Sequence, residues 1–207
     1  MDGVSIIGCG GHARSVADII LDNCEGTNLA FYDKCAKPEE TMFAGEYAVY
    51  PLDSNTEFEF KNIFIALGNN RARKEFVLDS LDDSSLNVIS VISKRAYISK
   101  RSKIDKGVFI ANGTHIGPEA SIGSFSIINN GAVVEHEVEV GAFVHISVNA
   151  TVCGKCKIGN GVFLGAGSVV RDKIYICDNV VVGAGGIVIS DINIPGTYVG
   201  NPVKKID

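Results

Sequence analysis

Residues able to do acid–base chemistry gather at one point of this 207-residue chain. His136 stands in Val134-Glu135-His136-Glu137-Val138-Glu139, with carboxylates on both sides. A neighbouring carboxylate orients an imidazole and raises its basicity. That suits a general base taking a proton from an amine or alcohol during acyl transfer from a thioester. The same reaction needs an N–H donor for the developing oxyanion. A solvated surface histidine is the other reading of His136 on spacing alone. His145 lies nine residues further on, directly before Ile146. His115 sits equally before Ile116, but without carboxylates around it, and reads as structural.

A second concentration lies near the start, in Gly8-Cys9-Gly10-Gly11-His12. Closely spaced glycines between a strand and a helix let backbone N–H groups approach a phosphate. The motif is shorter than a full G-x-G-x-x-G, with Ala13 where a third glycine would stand, so a nucleotide turn and a plain tight turn are equally open. His12 could contact a ligand phosphate or cap the helix. Asp33 closes the next predicted strand, where a carboxylate can accept bonds from a nucleoside.

The elements that must position these groups follow two different periods. Val4 to Ile7, Leu29 to Tyr32 and Ile63 to Leu67 read as buried strands. Helical stretches run from Ala13 to about Leu21 and along Arg71, Arg73 and Lys74. Val88 to Ile92 reads as a last strand. Alternating strands and helices predict a small parallel α/β sheet with ligand chemistry at the strands' C-terminal ends. Fewer than ninety residues make only half of a full dinucleotide-binding fold.

From Ile98 to Ile194, every sixth residue is then Ile, Val or Leu, without a slip. Small or β-branched residues precede each by two, and Gly often follows by one, as at Gly117, Gly123, Gly141, Gly159, Gly165 and Gly183. A period of six matches neither an amphipathic helix nor a hairpin sheet. It predicts a parallel β-helix whose three hexads close one triangular coil. The large residue and the small one both point inward, and glycine frees the backbone at the corners. The expected division is residues 1–92 as a Rossmann-like nucleotide-sugar-binding domain and 93–207 as the β-helix with a short tail.

Composition narrows the partners. The net charge of −5 argues against non-specific nucleic-acid binding. No apolar run is long enough to span a membrane. Met1-Asp2-Gly3 has neither the basic region nor the apolar core of a signal peptide, so a cytoplasmic location is expected. Cys153-Gly154-Lys155-Cys156 has C-x-x-C spacing, yet both cysteines fall on positions filled elsewhere by small residues, so they read as repeat filler and no metal is expected.

Taken together, Gly8-x-Gly10-Gly11-His12, Asp33, Ala66-Leu67-Gly68-Asn69-Asn70 with Arg73, Asn129, Val134-Glu135-His136-Glu137, Phe143-Val144-His145-Ile146 and Gly200-Asn201-Pro202-Val203-Lys204 resemble the bacterial sugar O-/N-acyltransferase family. That family includes sialic-acid O-acetyltransferases. The resemblance covers essentially the whole chain and is nearest to the UDP-4-amino-sugar N-acetyltransferases of bacillosamine-type pathways. It implies a left-handed β-helix, whereas general rules favour right-handed crossovers.

The resemblance also implies roles. His136 is the general base and Glu137 the carboxylate that raises its basicity. His145 lies beside the acetyl-CoA thioester, Gly154 near the acyl carbonyl, and Ala166 and Ala184 along the pantetheine groove. Gly10, Gly11, His12, Asp33, Lys34, Gly68 and Arg73 hold the nucleotide sugar, with Asn129 near the sugar. Lys34 stands where some relatives carry a second Asp, and Ser93 where a His is often found. The implied assembly is a homotrimer with active sites between subunits. The implied reaction is acetyl-CoA-dependent N-acetylation of a nucleotide-linked 4-amino-4,6-dideoxy sugar. O-acetylation of a sialic acid or another sugar is the first alternative, and a non-catalytic nucleotide-sugar-binding scaffold the second.

Overall fold

The change of period near residue 90 is a change of architecture. The computed structural model describes residues 3–81 and 85–207, and these fall into two compact units divided between Val91 and Ile92. The first unit runs β1 (Gly3–Ile7), α1 (Gly11–Asn23), β2 (Asn28–Asp33), β3 (Thr41–Met42), β4 (Tyr47–Pro51), β5 (Asn62–Ile65), α2 (Asn70–Ser80) and β6 (Asn87–Val88). Its sheet has the order β3-β4-β2-β1-β5-β6, parallel except for β3 against β4.

β1 is the central strand, pairing Val4 with Leu29 of β2 and Ile6 with Phe64 of β5. All five of its residues are buried, which is why Val4-Ser5-Ile6-Ile7 reads as a continuous apolar run. Its one polar member is satisfied locally: Ser5 Oγ donates to the Phe60 carbonyl and accepts from the Phe60 N–H, both at 3.1 Å. α1 buries Ala13, Val16, Ala17, Ile19 and Ile20, the three-and-four spacing of one helical face. From β1 the chain steps to β2 on one side and later returns to β5 on the other. Strand order therefore reverses beside β1, and the carboxyl ends of β1 and β5 open a crevice. The edge pair β3 and β4 was not anticipated; β4 buries only Val49, and the rest of its Tyr47-Ala48-Val49-Tyr50 run is exposed or half-buried.

The expected single strand from Val88 to Ile92 is in fact divided. Asn87–Val88 pairs with Asn62 and Ile63, whereas Val91–Ile92 (β7) begins the β-helix ladder, with Ser93 N–H donating to the Ile110 carbonyl at 2.8 Å. Ile92 already lies six residues before Ile98, so the hexad period begins one step earlier than Ile98.

The second unit is a left-handed parallel β-helix of two-residue rungs. Three sheets form its faces, and each rung pairs with the one eighteen residues away, as in His115↔Val133, Ser121↔Glu139 and Ile127↔His145. Ile110, Ile116, Ile128, Val134, Ile146, Val152, Leu164 and Val170 stack in the interior with no exposed surface. The small inward positions Ala120, Ala132, Ala150 and Cys156 are equally closed. Cys156 serves as filler, its thiol donating to the Arg171 carbonyl at 3.0 Å.

Two expectations are corrected here. Ile194, the last hexad residue, is 61% exposed, while Ile192 is buried and bridges Ile176. The final coil is two residues short, so the period fails at its last step and the chain leaves for a tail hairpin of Gly196–Gly200 and Val203–Lys205. The glycines that follow the inward residues, moreover, are not the corner residues with unusual backbone angles. Left-handed angles fall two positions later, at Glu119, Phe125, Glu137, Phe143 and Lys155 among others. Gly123 is required by close stacking, since a β-carbon there would lie 2.5 Å from the Gly141 carbonyl carbon in the next coil. Among the described residues no helix is long and apolar enough to cross a membrane, and no cluster of three or more His, Cys, Asp or Glu could hold a metal ion.

Candidate active site

His136 stands at the corner after the rung Val133–Val134, with its ring exposed. The following residue, Glu137, is in the left-handed conformation (φ 59°), and this turns its carboxylate back to the ring. His136 Nδ1 meets Glu137 Oε1 at 3.1 Å. A carboxylate can only accept, so Nδ1 carries the hydrogen and Nε2 is left as the proton-accepting nitrogen. The His136 backbone N–H donates to Glu135 Oε2 at 3.2 Å. Lys155, one coil further on, places its ammonium 3.5 Å from the same Glu137 Oε1. The hydrogen bond from His136, and then the Lys155 charge, hold the Glu137 carboxyl below the usual carboxylate range.

Gly154 is eighteen residues beyond His136 and lies against its imidazole. A β-carbon at 154 would be 2.5 Å from His136 Nε2 and 2.6 Å from Cε1. Its neighbours are tied into the ladder, Cys153 N–H to the Val170 carbonyl at 3.0 Å and Lys155 N–H to the His136 carbonyl at 3.0 Å. The Gly154 N–H has no acceptor among the described residues. At some equivalent corners a side chain takes the N–H, as Ala142 and Asn160 donate to Asn160 Oδ1 and Asp178 Oδ1 at 2.9 and 2.8 Å, while at Val148, Ala166 and Ala184 no acceptor lies among the described residues either. Beside His136, then, one backbone donor is left unspent.

His145 lies elsewhere, half-buried on the face shared by Ile127 and Phe163. Its ring meets Phe163 edge-on at 5.1 Å, and its Nε2 is 3.3 Å from Asn129 Nδ2. Asn129 and His145, expected to serve sugar and thioester separately, are therefore in contact. Ala166 and Ala184 are exposed and stacked, with Gly185 N–H donating to the Ala166 carbonyl at 2.8 Å. Val148 continues the column, its carbonyl accepting from Gly167 N–H at 2.9 Å.

In the first unit, the predicted ligand residues sit at the carboxyl ends of β1, β2 and β5. Gly8 takes the left-handed angle (φ 111°) that turns the chain out of β1. Gly10 and Gly11 have ordinary angles, and a β-carbon on either would meet nothing within 4 Å. Their bareness leaves open space over the first turn of α1, which has neither a capping side chain nor an acid. That is the kind of opening a phosphate needs. His12 lies in this turn, its β-carbon 3.6 Å from where Gly68 would carry one.

Asp33 binds two backbone N–H groups, Cys9 at 3.1 Å and Cys35 at 2.8 Å, and so ties the glycine turn to the end of β2. Burial, then Asp33 and Glu40, push the Cys9 thiol up to about 12, so it stays protonated at neutral pH. Arg73, expected among the substrate contacts, is 1% exposed and spends its guanidinium on the Leu67 carbonyl (2.8 Å), the Gly68 carbonyl (3.4 Å) and Asn70 Oδ1 (2.8 Å). It shapes the turn after β5 from beneath. Burial lowers its pKa to about 10, still charged at neutral pH.

A cleft of about 260 Å³ opens here, lined by Gly8, Asp33, Lys34, Leu67 and Phe76 among others. It shares Lys34, Leu52 and Phe76 with a broader depression of about 1040 Å³. The Lys34 ammonium lies 5.9 Å from the centre of the Phe76 ring. Leu52 and Phe76 were missed from sequence. Phe76 could have been found as the residue one turn beyond Arg73 on α2, but nothing local marks Leu52. Lys155 was also missed, although its place eighteen residues after Glu137 was legible once the coil length was known.

Comparison with known proteins follows the same division. Residues 3–80 match the PglD N-terminal domain family, and residues 155–189 match the bacterial transferase hexapeptide family of six repeats. A mutant of perosamine N-acetyltransferase from Caulobacter crescentus, in complex with CoA and GDP-perosamine, is 30% identical over 99% of this chain and 97% of its own, with a TM-score of 0.89. The acetyltransferase domain of PglB from Neisseria gonorrhoeae is 25% identical with full coverage of both chains and a TM-score of 0.88. An uncharacterised mimivirus protein, L142 of Acanthamoeba polyphaga mimivirus, is 34% identical over 125 residues, 60% of this chain but only 24% of that protein. With a near-complete match at this identity, and both halves assigned in order, the chain belongs to the hexapeptide-repeat sugar N-acetyltransferases of the bacillosamine and perosamine type.

Proposed function

We propose that this chain transfers the acetyl group of acetyl-CoA to the amine of a nucleotide-linked 4-amino-4,6-dideoxy sugar. The observation that carries the proposal is the corner at His136, where an oriented imidazole with a free Nε2 lies against a backbone N–H that nothing else uses. The amine nitrogen attacks the thioester carbonyl carbon, and the carbonyl electron pair moves to oxygen. The Gly154 N–H is the donor for that oxyanion. His136 Nε2 takes the amine's proton while Glu137 holds the ring and offsets the imidazolium charge. Collapse breaks the C–S bond, and His136 returns its proton to the departing CoA sulfur. No acyl-enzyme forms. That relatives with nearly the whole fold in common are described with CoA and GDP-perosamine, or with acetyl coenzyme A, supports this reading.

The first unit takes the nucleotide. The bare Gly10–Gly11 turn at α1 suits the diphosphate, and the cleft between Asp33, Lys34 and Phe76 suits the nucleoside. His12, Gly68 and, through the turn it holds, Arg73 complete that end, and Asn129 contacts the sugar.

The working assembly is a homotrimer with sites between subunits. Chain order supports this. His136 occupies the corner between the faces carrying Val133–Val134 and Glu139–Val140, and the face opposite that corner carries His145. One prism cannot turn both toward one thioester, so His145, Ala166 and Ala184 of one copy serve His136 of another. The location is cytoplasmic, where acetyl-CoA and nucleotide sugars are made.

Free-thiol release from acetyl-CoA tests the proposal, with UDP-, dTDP- and GDP-linked 4-amino-4,6-dideoxyhexoses as acceptors beside free and CMP-linked sialic acid. Turnover confined to an amino sugar is expected. Turnover on sialic acid alone would replace N- by O-acetylation, and binding without thiol release would make the chain a scaffold.

A further inference from the structure

Glu137 Oε1 is a shared atom. It meets His136 Nδ1 at 3.1 Å and the Lys155 ammonium at 3.5 Å. The sharing is built into the fold. Glu137 and Lys155 occupy equivalent corner positions in successive coils, both left-handed (φ 59° and 62°). Glu137 N–H donates to the Pro118 carbonyl and Lys155 N–H to the His136 carbonyl, each at 3.0 Å, so the two corners repeat one geometry. Their side chains leave the prism side by side.

The charges around His136 make this contact consequential. Glu135 and Glu137 flank it in sequence, Glu119 takes the equivalent corner position in the preceding coil, and Asp172 follows Gly154 by eighteen residues. Against these stand Lys155 and, one coil beyond it, Lys173. Carboxylates crowded about an imidazole favour its protonated form. A protonated Nε2 cannot accept the amine's proton. Of the two lysines, Lys155 is the one whose ammonium meets the carboxylate that holds the ring.

We propose that Lys155 is a positioning residue for the acetyl transfer: by sharing Glu137 Oε1 it offsets the surrounding carboxylates and pins Glu137 against Nδ1. The inference rests on the reading of His136 as the general base. Lys155 touches neither reacting group and acts only through Glu137.

The test compares wild type, Lys155→Met and Lys155→Arg in two ways. In the pH dependence of kcat/KM, Lys155→Met should move the acid limb upward by roughly half to one unit at low salt. The displacement should shrink as salt is raised, because an exposed pair is screened. Lys155→Arg should restore the wild-type limb. Independently of turnover, an NMR titration of the His136 ring protons in the intact protein should show the same displacement. A superimposable His136 titration in Lys155→Met, or one displaced downward, would overturn the proposal. So would a loss equal at every pH with a raised KM for acetyl-CoA, which would make Lys155 a cosubstrate contact. Failure of the wild type to acetylate any acceptor would sink the general-base reading, while the NMR titration would still decide what Lys155 does to the ring.

Discussion

His136 Nε2 lies 2.5 Å from the point where a β-carbon on residue 154 would stand. Glycine at 154 is thus the floor on which the imidazole rests. Eighteen residues separate the two in sequence, one full coil, so the contact exists only because the β-helix stacks corner on corner.

Replacing Gly154 by Ala should separate chemistry from folding. The added methyl meets the end of a side chain that can swing away, and Gly154 has no left-handed angle to lose. Stability should change by less than about 1.5 kcal/mol. The displaced imidazole should cost about 10²-fold in kcat. Thermal melting beside steady-state rates checks this, and a variant with normal turnover would remove Gly154 from the site.

Mixing two inactive chains tests the shared site. The His136→Ala and His145→Ala chains should each be inactive, with His136→Ala alone costing on the order of 10² to 10⁴ in rate. Unfolded together and refolded at equal amounts, they should regain activity at about one site in four, where an intact His136 of one copy faces an intact His145 of another. Mixtures no more active than either parent would place both histidines in one chain's site or in none.

Arg73→Met tests the buttress beneath the turn after β5. The variant leaves the Leu67 and Gly68 carbonyls without their buried donor, for a loss of about 2–4 kcal/mol. Affinity for a nucleoside diphosphate should fall with it, since Gly68 and Leu67 lose their support. Denaturant unfolding and calorimetric titration read the two effects, and weakened nucleotide binding at full stability would instead make Arg73 a direct contact.

The tail should be sensitive to acid. Asp207 accepts from the Thr197 N–H at 2.7 Å and from the Thr197 hydroxyl at 2.8 Å, and these bonds, the backbone one first, lower its pKa. A carboxylate with a depressed pKa contributes stability above its unfolded value and loses it as pH falls through the folded one. The clasp is therefore whole at neutral pH and released only in acid below the usual carboxylate range. Asp207→Ala, which removes both acceptors, should expose the Thr197 amide to faster hydrogen exchange at neutral pH. Unchanged protection there would show that the Gly196–Gly200 strand is held without the clasp.

Much of this was legible in the sequence for a physical reason. A six-residue rung repeats its inward slots identically, so Ile110, Ile128 and Ile146 report the fold without any knowledge of what they touch. The opening at the carboxyl end of β1 was legible through Gly8, Gly10 and Gly11, although the three act differently, Gly8 by its backbone angle and the others by their bareness. Arg73 was visible as a charge near a loop. Its burial was not, because a charged residue in a helix gives no sign of which way it turns. β3 and β4 went unread because only Met42 and Val49 of their apolar residues turn inward, and Ile194 misled because the period continues two residues past the point where the coil shortens.

By itself, then, the chain's order of residues determined the two architectures, the coil and the inward stack, since periodic burial is a local property written residue by residue. Tertiary structure alone decided which corner sits on which. It set Gly154 under His136, brought the Lys155 ammonium to the Glu137 carboxylate that holds the ring, joined Asn129 to His145, and put His136 and His145 on opposite sides of one prism. Those relationships depend on side-chain direction at residues nine to eighteen apart in sequence, and direction is fixed only when the coils close and stack.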